Sequence, residues 1–186
     1  MKPGTRAVGV ADSYAAGASR STVAAAVVRG DRAVDGLAFS TLSVGGTDAT
    51  DRLLSLLDRL DRPDARYLLL SGIAPAWFNV VDLPRLAAGA DRPAVSVSFE
   101  DSPGLGPALR EQFDGDALAE RLAVYDRLPE RRPLEVNGEG VFVRAAGLDG
   151  DPTEVVRGFT PEGGRPEPLR VARVAARAGD ELRRSG

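Results

Sequence analysis

The chain has 186 residues, enough for one substantial hydrophobic core and short for two independent ones. Hydrophobic residues at 43% and charged residues at 27% exclude a disordered polymer, and a net charge of −3 excludes an extreme polyanion or polycation. The absence of cysteine and histidine excludes disulfides, thiolate catalysis, zinc-ribbon sites and imidazole ligands, so carboxylates, hydroxyls and arginines must do any chemistry.

From the N-terminus, Arg6 to Asp12, Thr22 to Arg29 and Leu37 to Val44 read as strands rich in Val, Ala and Leu, with turns at Gly17, Gly30 and Gly36. Links this short require antiparallel pairing, which predicts a three-stranded meander. Gly45-Gly46-Thr47 leads into a helix over Asp48 to Leu60, where Leu53, Leu56, Leu57 and Leu60 recur at helical spacing and Thr47 or Asp48 can serve as N-cap. A buried strand at Tyr67 to Leu70, a loop, a helix near Leu83 to Ala88 and a strand at Ala94 to Ser98 follow. Their alternation predicts parallel pairing.

Beyond the strand at Ala94, helices are expected from Pro107 to Phe113 and from Ala117 to Arg127. A hairpin, Leu134 to Val136 and Val141 to Arg144, turns at Asn137-Gly138. After the Gly/Pro-rich stretch from Thr160 to Pro168, a last helix runs from about Leu169 to Arg184. On that helix Val171, Val174, Ala175, Ala178 and Leu182 share a face expected to be buried. Arg170, Arg173, Arg177 and Arg184 fall within about 60° on another face. That stripe is either a solvated face paired with Glu167, Asp180 or Glu181, or a phosphate track.

The expected architecture is α/β: a ribonuclease H-like mixed five-stranded sheet flanked by helices, with a C-terminal hairpin and helical extension. Residues 1–186 form a single domain, with a core at about 5–130 and the extension at about 131–186. Basic charge is almost all arginine, the better fork for phosphate, with Lys2 the sole lysine. Residues 152–186 carry seven basic and five acidic side chains while the remainder is net acidic, so a polyanion is expected at the C-terminal end. No apolar run approaches the roughly 18 residues of a membrane span, and the start lacks a signal-peptide layout, so a cytoplasmic location away from membranes is expected.

Several segments, in order, carry a family resemblance: Gly9-Val10-Ala11-Asp12-Ser13, Arg29-Gly30, Asp35-Gly36, Gly46-Thr47-Asp48-Ala49-Thr50, the run Leu70-Ser71-Gly72-Ile73-Ala74-Pro75-Ala76-Trp77-Phe78-Asn79-Val80-Val81-Asp82-Leu83, and Pro166-Glu167-Pro168-Leu169-Arg170. Across nearly the whole chain these resemble the endonuclease dU family of endonuclease V-like proteins. The resemblance implies a metal-dependent endonuclease acting on deaminated, uracil-containing DNA, with Mg2+ or Mn2+ held by oxygen ligands. Two positions depart from the pattern: Ala11 stands where the first acid of a pair is usual, and Ser71 where endonuclease V has aspartate.

Asp12, Asp48 and Asp82 remain as metal ligands, with Asp12 and Asp48 as the catalytic pair. Each has a plainer reading: Asp48 and Asp82 as helix caps, Asp12 as acceptor of backbone bonds in its turn. Trp77 and Phe78 could stack on an extruded base, although a lone tryptophan ordinarily serves burial. Asn79 reads a base edge or holds its loop, and Gly45-Gly46-Thr47 receives a phosphate at a helix N-terminus or is a capped turn. Arg170, Arg173 and Arg177 would guide the strand. The alternatives are a nucleic-acid-binding module of the same family without catalysis, and a structural protein whose Trp77-Phe78 loop meets a partner or a second copy as a homo-oligomer.

Overall fold

The computed structural model describes residues 2–186. Three strands, β1 (Arg6–Ser13), β2 (Arg20–Arg29) and β3 (Val34–Ser43), precede helix α1 (Ala49–Leu60) and strand β4 (Ala65–Ser71). A single turn α2 (Pro75–Phe78), helix α3 (Leu83–Gly89) and strand β5 (Ala94–Ser98) complete the first half. Helices α4 (Gly106–Gln112) and α5 (Gly115–Tyr125), the hairpin β6 (Arg132–Val136) and β7 (Glu139–Ala146), and helices α6 (Pro152–Gly158) and α7 (Glu167–Ser185) form the second.

The sheet order is β3-β2-β1-β4-β5-β7-β6. As the short links require, β1 to β3 form an antiparallel meander, and β4 and β5 run parallel to β1. The sheet has seven strands rather than the expected five, because β7 pairs antiparallel with β5 and carries β6 with it. A β5 edge would otherwise present unpaired N–H and C=O groups, and the hairpin satisfies them. At the hairpin turn Asn137 and Gly138 both have positive φ, as the Asn-Gly pair demands. Helix α6, over Pro152 to Gly158, was not expected; its Asp151 cap accepts the Thr153 N–H at 2.9 Å.

Successive residues of β1 face opposite layers. Val8 and Val10 join Leu53 and Leu56 of α1 and Leu83 and Leu86 of α3 in one core. Ala7 joins Val155, Phe159 and Leu169 in a second, and Ala11 packs with Ala26, Val28 and Ala172 of α7 in a third.

Helix α7 lies on β1 and β2 through its small residues. Leu169, Ala172, Ala176 and Asp180 are buried, whereas Val174 and Leu182 are 59% and 76% exposed, which reverses the expected seam. The reason is close approach. A Cβ on Gly9 would lie 2.1 Å from the Pro168 carbonyl oxygen, and one on Gly179 would lie 3.1 Å from the Phe39 ring. Where the backbones approach this closely only small side chains fit, so Ala172 and Ala176 are buried in place of Val174 and Leu182.

Candidate nucleic-acid site at the strand ends

Because β1, β4 and β5 run parallel, Asp12, Ser71 and Ser98 reach the same edge of the sheet. The loop after β4 closes over that edge. In α2, Ala76 (φ 50°, ψ 47°), Trp77 (φ 53°, ψ 88°) and Phe78 (φ 59°) are left-handed in succession. Each such residue costs roughly 1–2 kcal/mol without glycine, so the loop is held by its surroundings. Those surroundings are the acids and Arg121.

Asp12 accepts from Ser21 Oγ at 2.7 Å and from the Ala76 N–H at 2.9 Å, both on Oδ2. Its partners lie on β2 and in α2, not in its own turn. Asp48 occupies the N-cap position of α1 but does not cap with its side chain. It turns back to accept from the Ser43 N–H at 3.1 Å, Ser43 Oγ at 3.0 Å and Asn79 Nδ2 at 2.7 Å. Arg52 and Arg20 stand 3.6 and 3.9 Å from it. Burial raises the Asp48 carboxyl, but the Asn79 and Ser43 hydrogen bonds outweigh it and hold the group below the usual carboxylate value.

The cap of α1 comes instead from Asn79, whose Oδ1 accepts the Ala49 N–H at 2.9 Å. Asn79 is wholly buried and its Nδ2 also donates to Ser43 O at 2.9 Å. It is a structural clamp, and no face of it is free to read a base edge. The Gly45-Gly46 turn is likewise occupied: the Gly45 N–H donates to Ala76 O at 2.7 Å, and both glycine carbonyls accept from Arg121. With the first N–H of α1 taken by Asn79, this is a filled turn rather than a phosphate cradle.

Arg121, 5% exposed, lies 3.9 Å over the Phe113 ring and also donates to Ala117 O at 2.8 Å and Phe78 O at 3.3 Å. Burial pushes its guanidinium below the usual arginine value. Against this platform Trp77 is 43% exposed, its ring 5.4 Å from those of Phe78 and Phe113. The indole is thus partly packed and partly open to solvent.

Asp82 accepts the Arg85 N–H at 3.1 Å as the cap of α3 and pairs with Arg127 at 2.9 Å. Among the described residues no three acids converge as a metal-holding group. The donor set does not fit the Mg2+ or Mn2+ centre that Asp12, Asp48 and Asp82 were expected to form: Asp82 is committed to a helix cap and an arginine, and Asp48 is saturated. Ala11 is buried against α7, on the face opposite Asp12.

Of the arginine stripe on α7, Arg170 pairs with Glu167 at 2.5 Å and Arg184 with Asp180 at 3.1 Å. Asp180, buried, also takes Arg183 at 2.9 Å and Thr22 at 3.3 Å. Arg173 has a different setting. It lines a cavity of about 430 Å3 beside the ends of β4 and β5, together with Arg131, Arg144 and Arg165. Those last three escaped sequence reasoning, since they sit before β6, on β7 and in the Gly/Pro-rich stretch, with no common spacing.

A meander followed by parallel β4 and β5, helices on both faces and acids at the carboxyl edge define the ribonuclease H-like class. Two solved structures share it. A protein from Archaeoglobus fulgidus superposes with a TM-score of 0.81 at 25% identity, covering 94% of this chain and 97% of that one. Endonuclease V of Ciona intestinalis, solved in complex with a DNA containing inosine followed by a ribo-adenosine, superposes at 0.65 with 13% identity, covering 98% and 87%.

The endonuclease dU family model matches residues 3–179, and the chain belongs to that family. A UPF0215 protein of Methanopyrus kandleri is 30% identical over 191 residues, covering 95% of this chain and 91% of its own. Among the described residues no helix is long and apolar enough to cross a membrane.

Proposed function

We propose that this chain binds DNA carrying a deaminated base, uracil in particular, at the carboxyl edge of its sheet, and that binding rather than metal-assisted hydrolysis is what its own residues perform. The observation that carries this reading is the strand-end edge itself: an exposed Trp77 on a left-handed turn, an arginine-lined cavity reached by Ala74 of the same loop, and Asp48 and Asp82 engaged in structure. Family membership and the DNA bound by the Ciona endonuclease V support the choice of ligand. An indole held by Phe78, Phe113 and Arg121 offers a preorganised stacking face for an unstacked base.

Metal-dependent cleavage is the second reading, favoured by Asp12. Both its hydrogen bonds fall on Oδ2, leaving Oδ1 without a protein partner beside Leu70, Ser71 and Gly72. One assay separates the readings: a labelled uracil-containing oligonucleotide and its undamaged twin, incubated with Mg2+ or Mn2+ or with chelator, beside Asp12→Asn. The proposal expects a gel shift that favours the uracil strand, with the DNA intact. Metal-dependent nicking abolished by Asp12→Asn would establish the second reading, and no shift at all would overturn both in favour of a protein partner.

A further inference from the structure

We propose that the cavity across the ends of β4 and β5 is a phosphate seat, in which Arg131, Arg144, Arg165 and Arg173 grip the backbone of a nucleic-acid strand. The choice of a strand rests on the DNA-binding reading above; the seat itself rests on geometry independent of the acids. Four guanidiniums line one cavity of about 430 Å3, and Glu100 is the single carboxylate among its lining residues. Among the described residues none of the four forms a salt bridge, whereas Arg127, Arg132, Arg170, Arg183 and Arg184, close to them in sequence, all do.

Arg131, Arg144 and Arg165 are positioned by contacts that leave their charge unanswered, and Arg173 is exposed on α7. Arg165 lies 3.9 Å over the Phe99 ring and Arg131 3.8 Å over Phe142. Arg131 donates to the backbone carbonyls of Ser102, at 2.9 Å, and Glu100, and Arg144 to the carbonyl of Pro129. Carbonyls and aromatic faces orient a guanidinium without neutralising it.

Burial, then the nearness of Arg173, holds Arg165 below the usual guanidinium value; burial does the same for Arg144, with Arg131 contributing. Nη1 of Arg165 is buried with no hydrogen-bond partner. Gathering four like charges and desolvating Arg144 and Arg165 opposes folding, and an anion seated between them would offset that cost.

Phosphate suits the seat because guanidinium forks match its oxygens, and stacking on Phe99 and Phe142 fixes the forks before the ligand arrives. Ser98 lies opposite Phe142, and Ser96 opposite Arg144, across the β5–β7 register, adding hydroxyls to the same floor. The arginines come from two walls, Arg165 and Arg173 from the α7 side and Arg131 and Arg144 from the hairpin side. An elongated polyanion meets both.

Fluorescence anisotropy of a labelled single-stranded oligonucleotide between 50 and 200 mM salt tests the seat, using the full chain and the double variants Arg165→Gln/Arg173→Gln and Arg131→Gln/Arg144→Gln. Each double variant is expected to bind at least about tenfold more weakly at low salt and to lower the log–log salt slope by about 1.4, two phosphate contacts at ~0.7 each. Arg59→Gln, exposed on α1 and outside the cavity, is expected to change neither, and Arg165→Lys/Arg173→Lys to keep the slope. Inorganic phosphate is expected to compete more strongly than chloride at equal ionic strength.

Double variants that keep a wild-type melting profile, affinity and slope would overturn the seat, as would phosphate competing no better than chloride. Running uracil and undamaged strands side by side keeps the two conclusions apart. Equal affinity for both with the arginine dependence intact removes the damage reading and leaves the seat standing. Uracil preference with an arginine-independent slope does the reverse.

Discussion

Two neighbouring regions at the carboxyl edge of one sheet treat charge in opposite ways. Around β1 and α2 the acids are answered: Asp12 by Ser21 and Ala76, Asp48 by Ser43 and Asn79 with Arg20 and Arg52 close by. Around β4, β5 and β7 four arginines share a cavity with one carboxylate and pair with none. Asp48, with both oxygens hydrogen-bonded, is spent on the fold, Asp12 keeps Oδ1 without a protein partner, and the cavity arginines have no carboxylate partner among the described residues. That contrast supports the reading in which Asp48 and Asp82 serve the fold and the arginines face the ligand.

The largest expected effect breaks the arginine side alone. Gly9→Ala drives a Cβ into the Pro168 backbone, 2.1 Å from its carbonyl oxygen, and must push the start of α7 off β1. A loss of about 3 kcal/mol in urea unfolding is expected, with weakened DNA binding, because α7 carries Arg173 and follows Arg165. An unchanged melting curve would mean that α7 does not set the depth of that wall.

Next comes the acid side. Arg121→Met keeps the stacking volume on Phe113 but leaves the carbonyls of Gly45, Gly46 and Phe78 without their donor. About 2–3 kcal/mol of stability should go with it, measured by chemical denaturation. The amide exchange of residues 74–79 should rise at the same time, since the left-handed turn then loses its clamp.

Trp77→Ala sharpens the comparison from the ligand side. The indole is 43% exposed and packs on Phe78 and Phe113, so stability should fall by about 1 kcal/mol, while affinity for a uracil-containing strand should fall about tenfold, as expected for one lost base–aromatic stack. Equal binding by the variant would assign all recognition to the arginines.

The smallest effect is in acid. The Asp48 carboxyl sits below its ordinary value in the fold, so its contribution is complete above the unfolded value, near 4, and is lost as pH falls through the folded one. The Arg62 hydrogen bond places Asp64 at about 2, but this group is largely exposed and its pair is screened. Thermal melts from pH 5 to pH 2 should therefore fall less steeply in Asp48→Asn than in the parent chain. Parallel curves would show that the Ser43 and Asn79 bonds do not depend on the charge.

How much was legible in the sequence divides along the range of the forces involved. Short links dictated the meander, Leu53 and Leu56 the buried face of α1, Asn137-Gly138 the hairpin turn, and the alternation of strands and helices the parallel pairs, because each rests on neighbours a few residues apart. The family motifs carried the fold class with them. Local pattern could not say that the hairpin would close the sheet beyond β5, since that pairing joins residues some fifty positions distant.

Nor could it find the packing of α7, where the hydrophobic pattern favours Val174 and Leu182 but the buried face is Leu169, Ala172, Ala176 and Asp180, with Pro168 close against Gly9. Asn79 became the cap of α1 from 30 residues away, displacing Asp48 from the part its position suggested. The cavity's four arginines have no common spacing because four separate segments deliver them. Sequence determined which chemistry was on hand, oxygen acids and arginines without histidine or cysteine; tertiary structure decided which of those charges meet a partner and which are left facing a cavity, because pairing depends on distances that only the folded sheet creates.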